Sequence, residues 1–374
     1  MISVIAAIAL GTTAYTIDFK SKGEILLNYI TEDQGEGGLF QQDNSQGNLG
    51  IKVKVAADLG KGFLGGMTAV GVETTGLDGT FVSNSLQSTR DNTISGGIGL
   101  TEAFVVRTIG DTTFKVGRQE LNTPMMFSEK QYLHPTTFSA AMAINKSFEN
   151  TTLMGAYVNS SNDHNSLAIF DENNIEAGTG ILGLLYKPMS NMKVNLWYYQ
   201  VKNVADIVWG ETVYAKDNLM FGAQASNITS ALNDGTKMTG VQGVYDVEGI
   251  RFIGAYDRVE MDENAITMEN RGTASLNGKT KLFTQMEENS EYVAGIQGED
   301  THSYKLGMKT RLKGIDITAN MGEVTSDSGT YSETNFGAST RMYDTDFGLI
   351  FVDKNDGYKN INSQMIKFKA AYQF

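Results

Sequence analysis

The sequence predicts an all-β fold in which one antiparallel sheet closes into a barrel across a membrane. The last twelve residues, Ser363 to Phe374, alternate apolar and polar side chains and end on an aromatic residue. Similar runs recur along the chain in pairs that are joined by tight Gly, Asn or Asp turns, as in antiparallel hairpins. The connections between these pairs are long and polar, and outer-membrane barrels show this alternation of short turns and long loops.

The terminal strand illustrates why a membrane barrel is predicted. Successive side chains of a strand point to opposite faces of the sheet. One face carries Ile366, Phe368, Ala370, Tyr372 and Phe374, and the other carries Lys367, Lys369, Ala371 and Gln373. A strand with an apolar outer face and a charged inner face suits a wall between lipid and water. A soluble β-sandwich is the alternative, because its core also uses alternating aromatic residues.

Composition permits a barrel and excludes several other classes. The chain has 374 residues and a mean hydropathy of −0.23. No stretch approaches the roughly 18 apolar residues of a membrane-spanning helix, whereas a barrel strand needs only about 10 alternating residues. The sequence contains no Cys, which excludes disulfides and thiol chemistry. A net charge of −13 argues against a general nucleic-acid binder.

The N-terminus predicts an export signal. Ile2 to Gly11 is small and apolar, and Thr12 to Ala14 offer a small-residue cleavage site, although no basic residue precedes them. The favoured interpretation is a residual signal segment over residues 1–14, and the alternative is a buried first strand. Residues 15–374 then form a single barrel domain.

Six hairpins are visible in chain order, each with a tight connection between two alternating runs. They span Leu49 to Glu73, Ala103 to Arg118, Phe138 to Asn159, Ile181 to Val201, Val241 to Val259 and Tyr304 to Met321. The polar stretches predicted as outer loops are Thr31 to Asn48, Thr74 to Ser95, Glu120 to Pro135, Ser160 to Thr179 and Met261 to His302. About 18 strands of about 11 residues account for the length, with long loops at every second connection. Sixteen strands are also compatible, because Met261 to His302 is either one loop or a loop with an extra hairpin.

Two segments resemble a known family. Lys115 to Pro124, followed by His134 to Phe138, resembles the Gly-Arg-Gln-x-Leu-x-Thr-Pro segment of OprD-type outer-membrane porins. The resemblance implies an 18-stranded barrel in the bacterial outer membrane, usually trimeric, without enzymatic activity or a cofactor. It implies passive diffusion of small hydrophilic solutes such as ions, amino acids, peptides and carboxylates. It also implies that the third outer loop folds into the pore.

By the hairpin count, Glu120 to Pro135 is that third outer loop, and it contains two of the three prolines. Proline stiffens a loop that must keep one shape inside a water-filled lumen. Strict alternation from Phe114 aims Arg118 at lipid, so either the strand ends there or a bulge turns the side chain inward. The residues expected to tune selectivity at the constriction are Arg118, Glu120, Glu129, Lys130 and His134.

Basic side chains are expected on the inner wall. The resemblance implies a ladder of basic residues along one wall, and the candidates are Lys52, Lys54, Lys115, Lys305, Lys309, Arg311, Lys367 and Lys369. The alternative is that these side chains only solvate a polar lumen. The segment Met261 to His302 holds eight carboxylates against Arg271, Lys279 and Lys281. This distribution suggests an acidic vestibule, set apart from the basic wall, that gathers cations and zwitterions.

The end of the chain resembles the C-terminal signal that the barrel-assembly machinery reads, with Phe368, Tyr372 and Phe374 as its aromatic residues. Trp197, Tyr198 and Tyr199 on one strand are expected in an interfacial aromatic girdle. The expected partners are outer-membrane lipid and lipopolysaccharide, the assembly machinery, small solutes and two further copies of the chain, but no nucleic acid.

Catalytic and metal-binding patterns are weak. The three histidines, His134, His164 and His302, lie far apart without zinc-ligand spacing, and no Gly-x-Ser-x-Gly elbow occurs. We therefore assign no metal, cofactor or catalytic residue. A surface adhesin or structural barrel and a barrel hydrolase are the alternative functions.

Overall fold

The computed structural model describes residues 19–33, 38–41, 44–75, 97–129, 135–161, 178–231, 234–271 and 278–374. They form one antiparallel sheet of 18 strands, in which the last strand pairs with the first to close the barrel. The predicted 18-stranded barrel is confirmed, and the 16-stranded alternative is wrong. Within the described ranges, no helix has the length and hydropathy needed to cross a bilayer. The predicted signal segment lies outside the described residues.

The strands follow one another around the barrel in chain order. Their bounds are β1 Phe19–Asp33, β2 Ser45–Gly60, β3 Phe63–Thr75, β4 Gly97–Ile109, β5 Thr112–Gln119, β6 Phe138–Asn145, β7 Thr151–Ser161, β8 Thr179–Met189, β9 Met192–Val201, β10 Ala205–Lys216, β11 Leu219–Ser230, β12 Gly235–Val247, β13 Ile250–Met261, β14 Asp300–Leu312, β15 Ile315–Ser326, β16 Gly329–Met342, β17 Thr345–Asp356 and β18 Ile361–Gln373. One helical turn, α1 (Ser290–Val293), lies between β13 and β14.

Side chains alternate between the two faces of the wall as predicted. On β2, Leu49 and Ile51 are exposed on the outer face, while Lys52 on the inner face contacts Glu24 of β1. β1 pairs with β2 on one side and with β18 on the other, so the lysines of β2 and β18 lie on neighbouring parts of the inner wall. The apolar outer face is what a lipid environment requires.

Short connections join the strands on the side of the membrane where β1 begins and β18 terminates. We call this side of the barrel the turn end. The opposite end, the loop end, is less regular than predicted. Long connections follow β1, β3, β5, β7 and β13, but those after β9, β11, β15 and β17 span only a few residues. Asn203 and Asn360 adopt positive φ angles of 62° and 54° there, a conformation that allows a tight reversal. The expectation of a long loop at every second connection is therefore wrong.

The segment between β13 and β14 is a single loop over residues 262–299, and its described part contains no extra hairpin. We call this segment L7. The segment between β5 and β6, residues 120–137, is the third outer loop and is called L3. Both loops contribute buried residues to a cluster inside the barrel, which confirms that the third outer loop folds inward.

An apolar cluster fills the interior, mainly along the β6 to β13 side of the barrel, and reaches β15 and β16 through Val324 and Tyr331. Its wall residues include Phe138 on β6, Tyr199 on β9, Trp209 on β10 and Met238 on β12, each at most 1% exposed. Trp197 and Tyr199 belong to this cluster, so the prediction that they form part of a lipid-facing girdle is wrong. Only Tyr198, between them, lies on the exposed outer face. Inward-folded loops offer these aromatic rings an apolar partner, which an empty lumen lacks.

Candidate functional site

L3 and L7 meet inside the barrel and are joined by backbone and side-chain hydrogen bonds. The Asn270 Nδ2 of L7 donates to the Phe127 carbonyl at 2.7 Å, and the Phe127 N–H donates to Asn270 Oδ1 at 3.1 Å. The Arg271 N–H donates to the Met125 carbonyl at 2.7 Å. Because Asn270 and Phe127 are both buried, these bonds fix the relative position of the two loops.

Glu129 belongs to this contact between L3 and L7, which we call the joint. Its Oε1 accepts hydrogen bonds from Asn270 Nδ2 at 2.9 Å and from the Lys279 N–H at 3.0 Å. The side chain is only 3% exposed. The structure therefore places the Glu129 carboxylate between L3 and L7, away from open lumen.

The tip of L3 is anchored in the apolar cluster. Met125 and Met126 are at most 1% exposed, and the Met125 N–H donates to the Tyr199 hydroxyl at 3.2 Å. Met268 and Leu282 bring L7 into the same cluster. The two loops and the β6 to β13 wall thus form a continuous packed body on one side of the lumen.

α1 attaches L7 to the opposite side of the barrel. The Tyr292 ring stacks on Tyr358 at a centroid distance of 4.5 Å and lies 5.0 Å from the Tyr331 ring. Its hydroxyl donates to Asp356 Oδ2 at 2.6 Å. L7 is therefore held at both edges, by the apolar cluster and by β16 to β18. Burial and the adjacent Asp356 raise the pKa of Tyr292 above its ordinary value, so the hydroxyl remains a donor at neutral pH.

The predicted basic wall faces the interior, and several of its lysines are paired. Lys52 contacts Glu24. Lys54 Nζ lies 3.1 Å from Glu102 and 3.5 Å from Glu120 at the start of L3.

Lys367 and L7 make the second set of ion pairs. Lys367 Nζ lies 2.6 Å from Glu288 and 3.2 Å from Glu287. Lys354 on β17 adds contacts of 2.9 Å to Glu32 and 3.7 Å to Glu288. The predicted separation between an acidic vestibule and a basic wall is therefore wrong for Glu287 and Glu288. The cause is the inward fold of L7, which carries these carboxylates onto the lysines.

Four other members of the wall, Lys115, Lys305, Lys309 and Lys369, have no carboxylate within ion-pair distance among the residues that the structure describes. Lys115 Nζ lies 3.8 Å from the centroid of the Phe104 ring, and Lys305 Nζ donates to the Gln285 carbonyl at 3.1 Å. Lys309 and Lys369 lie on the same inner face as Lys305 and Lys367, respectively. Arg311 approaches Asp316 at 3.9 Å near the turn end. The interior thus offers ammonium groups with unused hydrogen-bond donors.

The remaining constriction candidates divide into those that the structure describes and those that it does not. Arg118 lies in β5, on the strand face opposite Lys115, and donates to the Leu100 carbonyl at 3.3 Å. Neither expected alternative holds, because β5 continues to Gln119 and the buried Gln119 occupies the inner face. Lys130 and His134 lie outside the described residues.

One carboxyl group at the joint has a strongly shifted pKa. Burial raises the pKa of Glu269 to about 7, against the opposing effects of Arg271 and the Thr267 hydroxyl. Burial also lowers the pKa of Lys279, whose Nζ donates to the Glu287 carbonyl. Ionisable groups of L7 are therefore built into the joint at an energetic cost that depends on their protonation state.

Sequence reasoning missed several residues of this site. Lys354 could have been found by continuing the alternation of β17, where Phe351 marks the outer face. Asn270 has no such signal, because a single asparagine in a loop looks like an ordinary polar residue. Among the described side chains, no group of three or more His, Asp or Glu is arranged to hold a metal ion.

Comparison with known proteins decides the family. Residues 15–294 match the model of the family described as outer membrane porin, OprD family. The chain belongs to the OprD family. It is therefore an outer-membrane porin of bacteria, a channel for passive diffusion of small hydrophilic solutes, in contact with outer-membrane lipid. The predicted family and location are confirmed.

Solved structures show the same fold in distant relatives. OccK9 (OpdG) of Pseudomonas aeruginosa has a TM-score of 0.75 at 13% identity, with 96% of this chain and 98% of that chain covered. OccAB3 of Acinetobacter baumannii gives 0.72 at 12% identity, with 96% and 100% covered. P. aeruginosa OpdK, solved with vanillate, gives 0.72 at 12% identity, with 95% and 98% covered. A comparison with curated proteins gave no match.

Proposed function

We propose that this porin selects small solutes that carry a carboxylate group. The observation that carries this proposal is that the wall glutamates named below are paired with lysines, whereas several wall lysines have no carboxylate partner among the described residues. Glu24, Glu102, Glu120, Glu287 and Glu288 each contact a lysine. Lys115, Lys309 and Lys369 have no carboxylate within ion-pair distance among the described residues. A negatively charged solute therefore finds available cations, whereas a cation must compete with lysines for each of these glutamates.

The path of such a solute is set by the packed side of the barrel. L3 and most of the apolar cluster occupy the β6 to β13 side, and L7 extends from there to β14, β16 and β18. We therefore place the route along β1 to β5 and along the parts of β14 to β18 that lie nearer the turn end than these L7 contacts. The unpaired lysines lie on β5, β14 and β18, which border this route. In a narrow, partly desolvated channel a charge interacts several-fold more strongly than in bulk water, at an effective dielectric constant of about 20.

Two further observations support this function. OpdK, which shares the fold, was solved with vanillate, which is itself a carboxylate. The lysines also occupy successive heights, because Lys309 lies nearer the turn end than Lys305, and Lys369 lies nearer it than Lys367. A carboxylate can then pass from one ammonium group to the next without full rehydration.

Reversal potentials in planar bilayers under a KCl gradient test the proposal. We expect Lys115→Gln, Lys309→Gln and Lys369→Gln together to shift the permeability ratio toward K⁺ and to slow carboxylate entry into proteoliposomes. Lys216→Gln is the control, because Lys216 ends β10 on the far side of the barrel. An unchanged ratio in the triple variant would refute a selective role for these lysines and favour simple solvation of the lumen.

The chain terminus carries a second, independent proposal, recognition by the barrel-assembly machinery. Phe374 pairs with Gly23 through two backbone hydrogen bonds of 2.7 and 2.9 Å. Its ring stacks on the Tyr372 ring at a centroid distance of 6.2 Å. Tyr372, Phe374 and Phe368 lie on the outer strand face, where a partner can read them before the barrel inserts.

A further inference from the structure

L7 places one carboxylate where two lysines of the inner wall converge. Lys367 on β18 pairs in register with Ile350 on β17, and Lys354 lies four residues nearer the loop end than Ile350. Both ammonium groups still reach the same side chain, since Glu288 Oε1 lies 2.6 Å from Lys367 Nζ and Glu288 Oε2 lies 3.7 Å from Lys354 Nζ. Glu288 therefore occupies these lysines in the way that the carboxylate of a solute would.

The backbone that carries this carboxylate is fixed to the wall. The Glu288 N–H donates to Glu333 Oε2 at 3.0 Å, and the Glu287 N–H donates to Glu333 Oε1 at 2.9 Å. Farther along L7, the Tyr292 ring of α1 stacks on Tyr358. Because these contacts do not involve the Glu288 side chain, a change of its rotamer releases both lysines while the loop keeps its position.

The ion pair is accessible from the interior of the barrel. The side chains of Lys367 and Glu288 are 21% and 22% exposed. Ion pairs that water reaches contribute little energy, so a solute carboxylate competes for Lys367 at a low cost. Without Glu288, Lys354 keeps its shorter contact of 2.9 Å with Glu32, whereas Lys367 keeps only its longer contact of 3.2 Å with Glu287. The pairing of Lys367 therefore depends more on Glu288 than the pairing of Lys354 does.

This contact lies where the proposed route meets L7. Lys369 follows Lys367 on the same inner face of β18 and lies nearer the turn end. A solute carboxylate that arrives from the loop end therefore meets Lys367 before Lys369. Because like charges repel at short range, Glu288 holds that carboxylate away from Lys367 as long as the ion pair is formed.

We propose that Glu288 determines the specificity of this porin by competing with solute carboxylates for Lys367. While the ion pair is formed, Lys367 takes no part in anion binding. When a solute carboxylate displaces Glu288, Lys367 becomes the first step of the lysine route. The inference rests on the proposed selectivity for carboxylate-bearing solutes and adds the residue that limits it.

Single-channel recording of the intact porin in 1 M KCl tests this competition, because the Debye length is then about 3 Å and distant charges are screened. The probes are benzoate and benzyl alcohol, its neutral counterpart of similar size. The measured quantity is the benzoate concentration that halves the open-channel current. We expect Glu288→Gln to lower this concentration by about threefold, in keeping with the small energy of a partly exposed ion pair.

Lys367→Gln identifies the partner of the competing carboxylate. Combined with Glu288→Gln, it should return the benzoate concentration to the wild-type value, because the vacated lysine is then absent. Alone, it should change the concentration by less than about 1.5-fold, because a lysine already occupied by Glu288 binds little benzoate. Equal effects of Lys367→Gln in both backgrounds would contradict competition for this lysine.

Glu291→Gln is the matched control. It removes the same charge from the same loop, but the Glu291 carboxylate contacts Lys359, at 2.7 Å, and both side chains are exposed. It should change the benzoate concentration by less than about 1.5-fold, since its charge is screened. A gain as large as that of Glu288→Gln would assign the effect to the overall charge of L7 and refute the proposal.

Glu287→Gln gives a second test, in case Glu288→Gln fails to fold. It should lower the benzoate concentration by a smaller factor, because Glu288 stays on Lys367. An unchanged concentration in both glutamate variants would refute the competition.

The outcomes separate the two proposals. If benzoate acts more strongly than benzyl alcohol but neither glutamate variant changes its effect, the competition is refuted while carboxylate selectivity stands. If benzoate acts no more strongly than benzyl alcohol on the wild-type channel and on Glu288→Gln, the proposed function itself fails.

Discussion

Asn270 and Phe127 exchange a pair of hydrogen bonds, of 2.7 and 3.1 Å, across 143 residues of chain. A single asparagine side chain thereby replaces the backbone pairing that two strands would make. Because Asn270 also donates to Glu129, one buried amide joins L3 to L7 and to the carboxylate at the centre of the joint.

Removing this amide should loosen both loops while the barrel remains intact. In Asn270→Ala the Phe127 N–H and carbonyl lose their partners, at a cost of about 1–3 kcal/mol for each buried group. We expect faster proteolysis within L3 and L7 and larger fluctuations of the open-channel current. Asn227→Ala, at an exposed position on β11, serves as the control. Indistinguishable proteolysis of the two variants would contradict a locking role for Asn270.

Glu120 and Glu129 should respond differently to loss of charge. Glu120 faces Lys54 at 3.5 Å, so Glu120→Gln leaves this lysine less neutralised and raises anion permeability. We expect a change of about two- to threefold in the permeability ratio, in keeping with a partly exposed pair worth less than about 1 kcal/mol. Reversal potentials measure it.

Glu129→Gln should instead act as a loop variant, because the carboxylate is buried between L3 and L7. Current fluctuations are expected to increase at an unchanged permeability ratio. A shift in the ratio as large as that of Glu120→Gln would place Glu129 in contact with permeating ions and contradict its assignment to the joint.

The pKa of Glu269, raised to about 7 by burial, predicts a pH-dependent joint. The folded loop binds this proton more tightly than an unfolded chain with a pKa of 4.5 does. Stability of the joint is therefore lost as pH rises from about 4.5 to about 7, by an amount on the order of 3 kcal/mol. Current fluctuations should grow between pH 5 and pH 8, and Glu269→Gln should remove this dependence. A variant that keeps the wild-type pH profile would assign the effect to another group.

The Phe374 ring covers Gly23, where any side chain would collide with it. Gly23→Val is expected to displace the terminal aromatic residue and to weaken the seam between β1 and β18. Heat-modifiable migration in detergent gels measures this loss of the closed barrel. Gly243→Val, also a strand glycine but with open space around it, should migrate like wild type. Equal migration of both variants would show that Phe374 does not need this close approach.

The sequence alone predicted which side chains of the barrel wall face inward. It did not predict how the loops pack inside the barrel. Alternation in β18 correctly placed Phe368 outside and Lys367 inside, because a strand has only two faces. The contents depend on pairs that lie far apart in the chain, such as Tyr292 with Asp356 in L7 and β17. No local pattern encodes such contacts, so the ion pairs of Glu287 and Glu288 with the wall were not foreseen.

Trp197 also shows that the sequence does not encode the packing inside the barrel. An aromatic residue in a barrel strand fits equally well at a lipid interface and in a packed interior. The choice is made by the partner, here the methionine-rich tip of L3, which only the folded chain brings into place. The inward orientation of Lys354 could have been predicted from periodicity alone, because Phe351 and Asp353 share the outer face of β17 and Lys354 lies on the opposite face.

Because of the packed body along β6 to β13, the outer diameter of the barrel does not set the width of its open pore. Eighteen strands set a wide circumference, yet L3, L7 and the apolar cluster fill part of the cross-section, which leaves an off-centre channel beside the lysine-bearing strands. The conductance should therefore resemble that of a much slimmer cylinder. We therefore expect the size of the solutes that pass to depend on how far L3 and L7 extend into the lumen, while the number of strands sets the outer diameter.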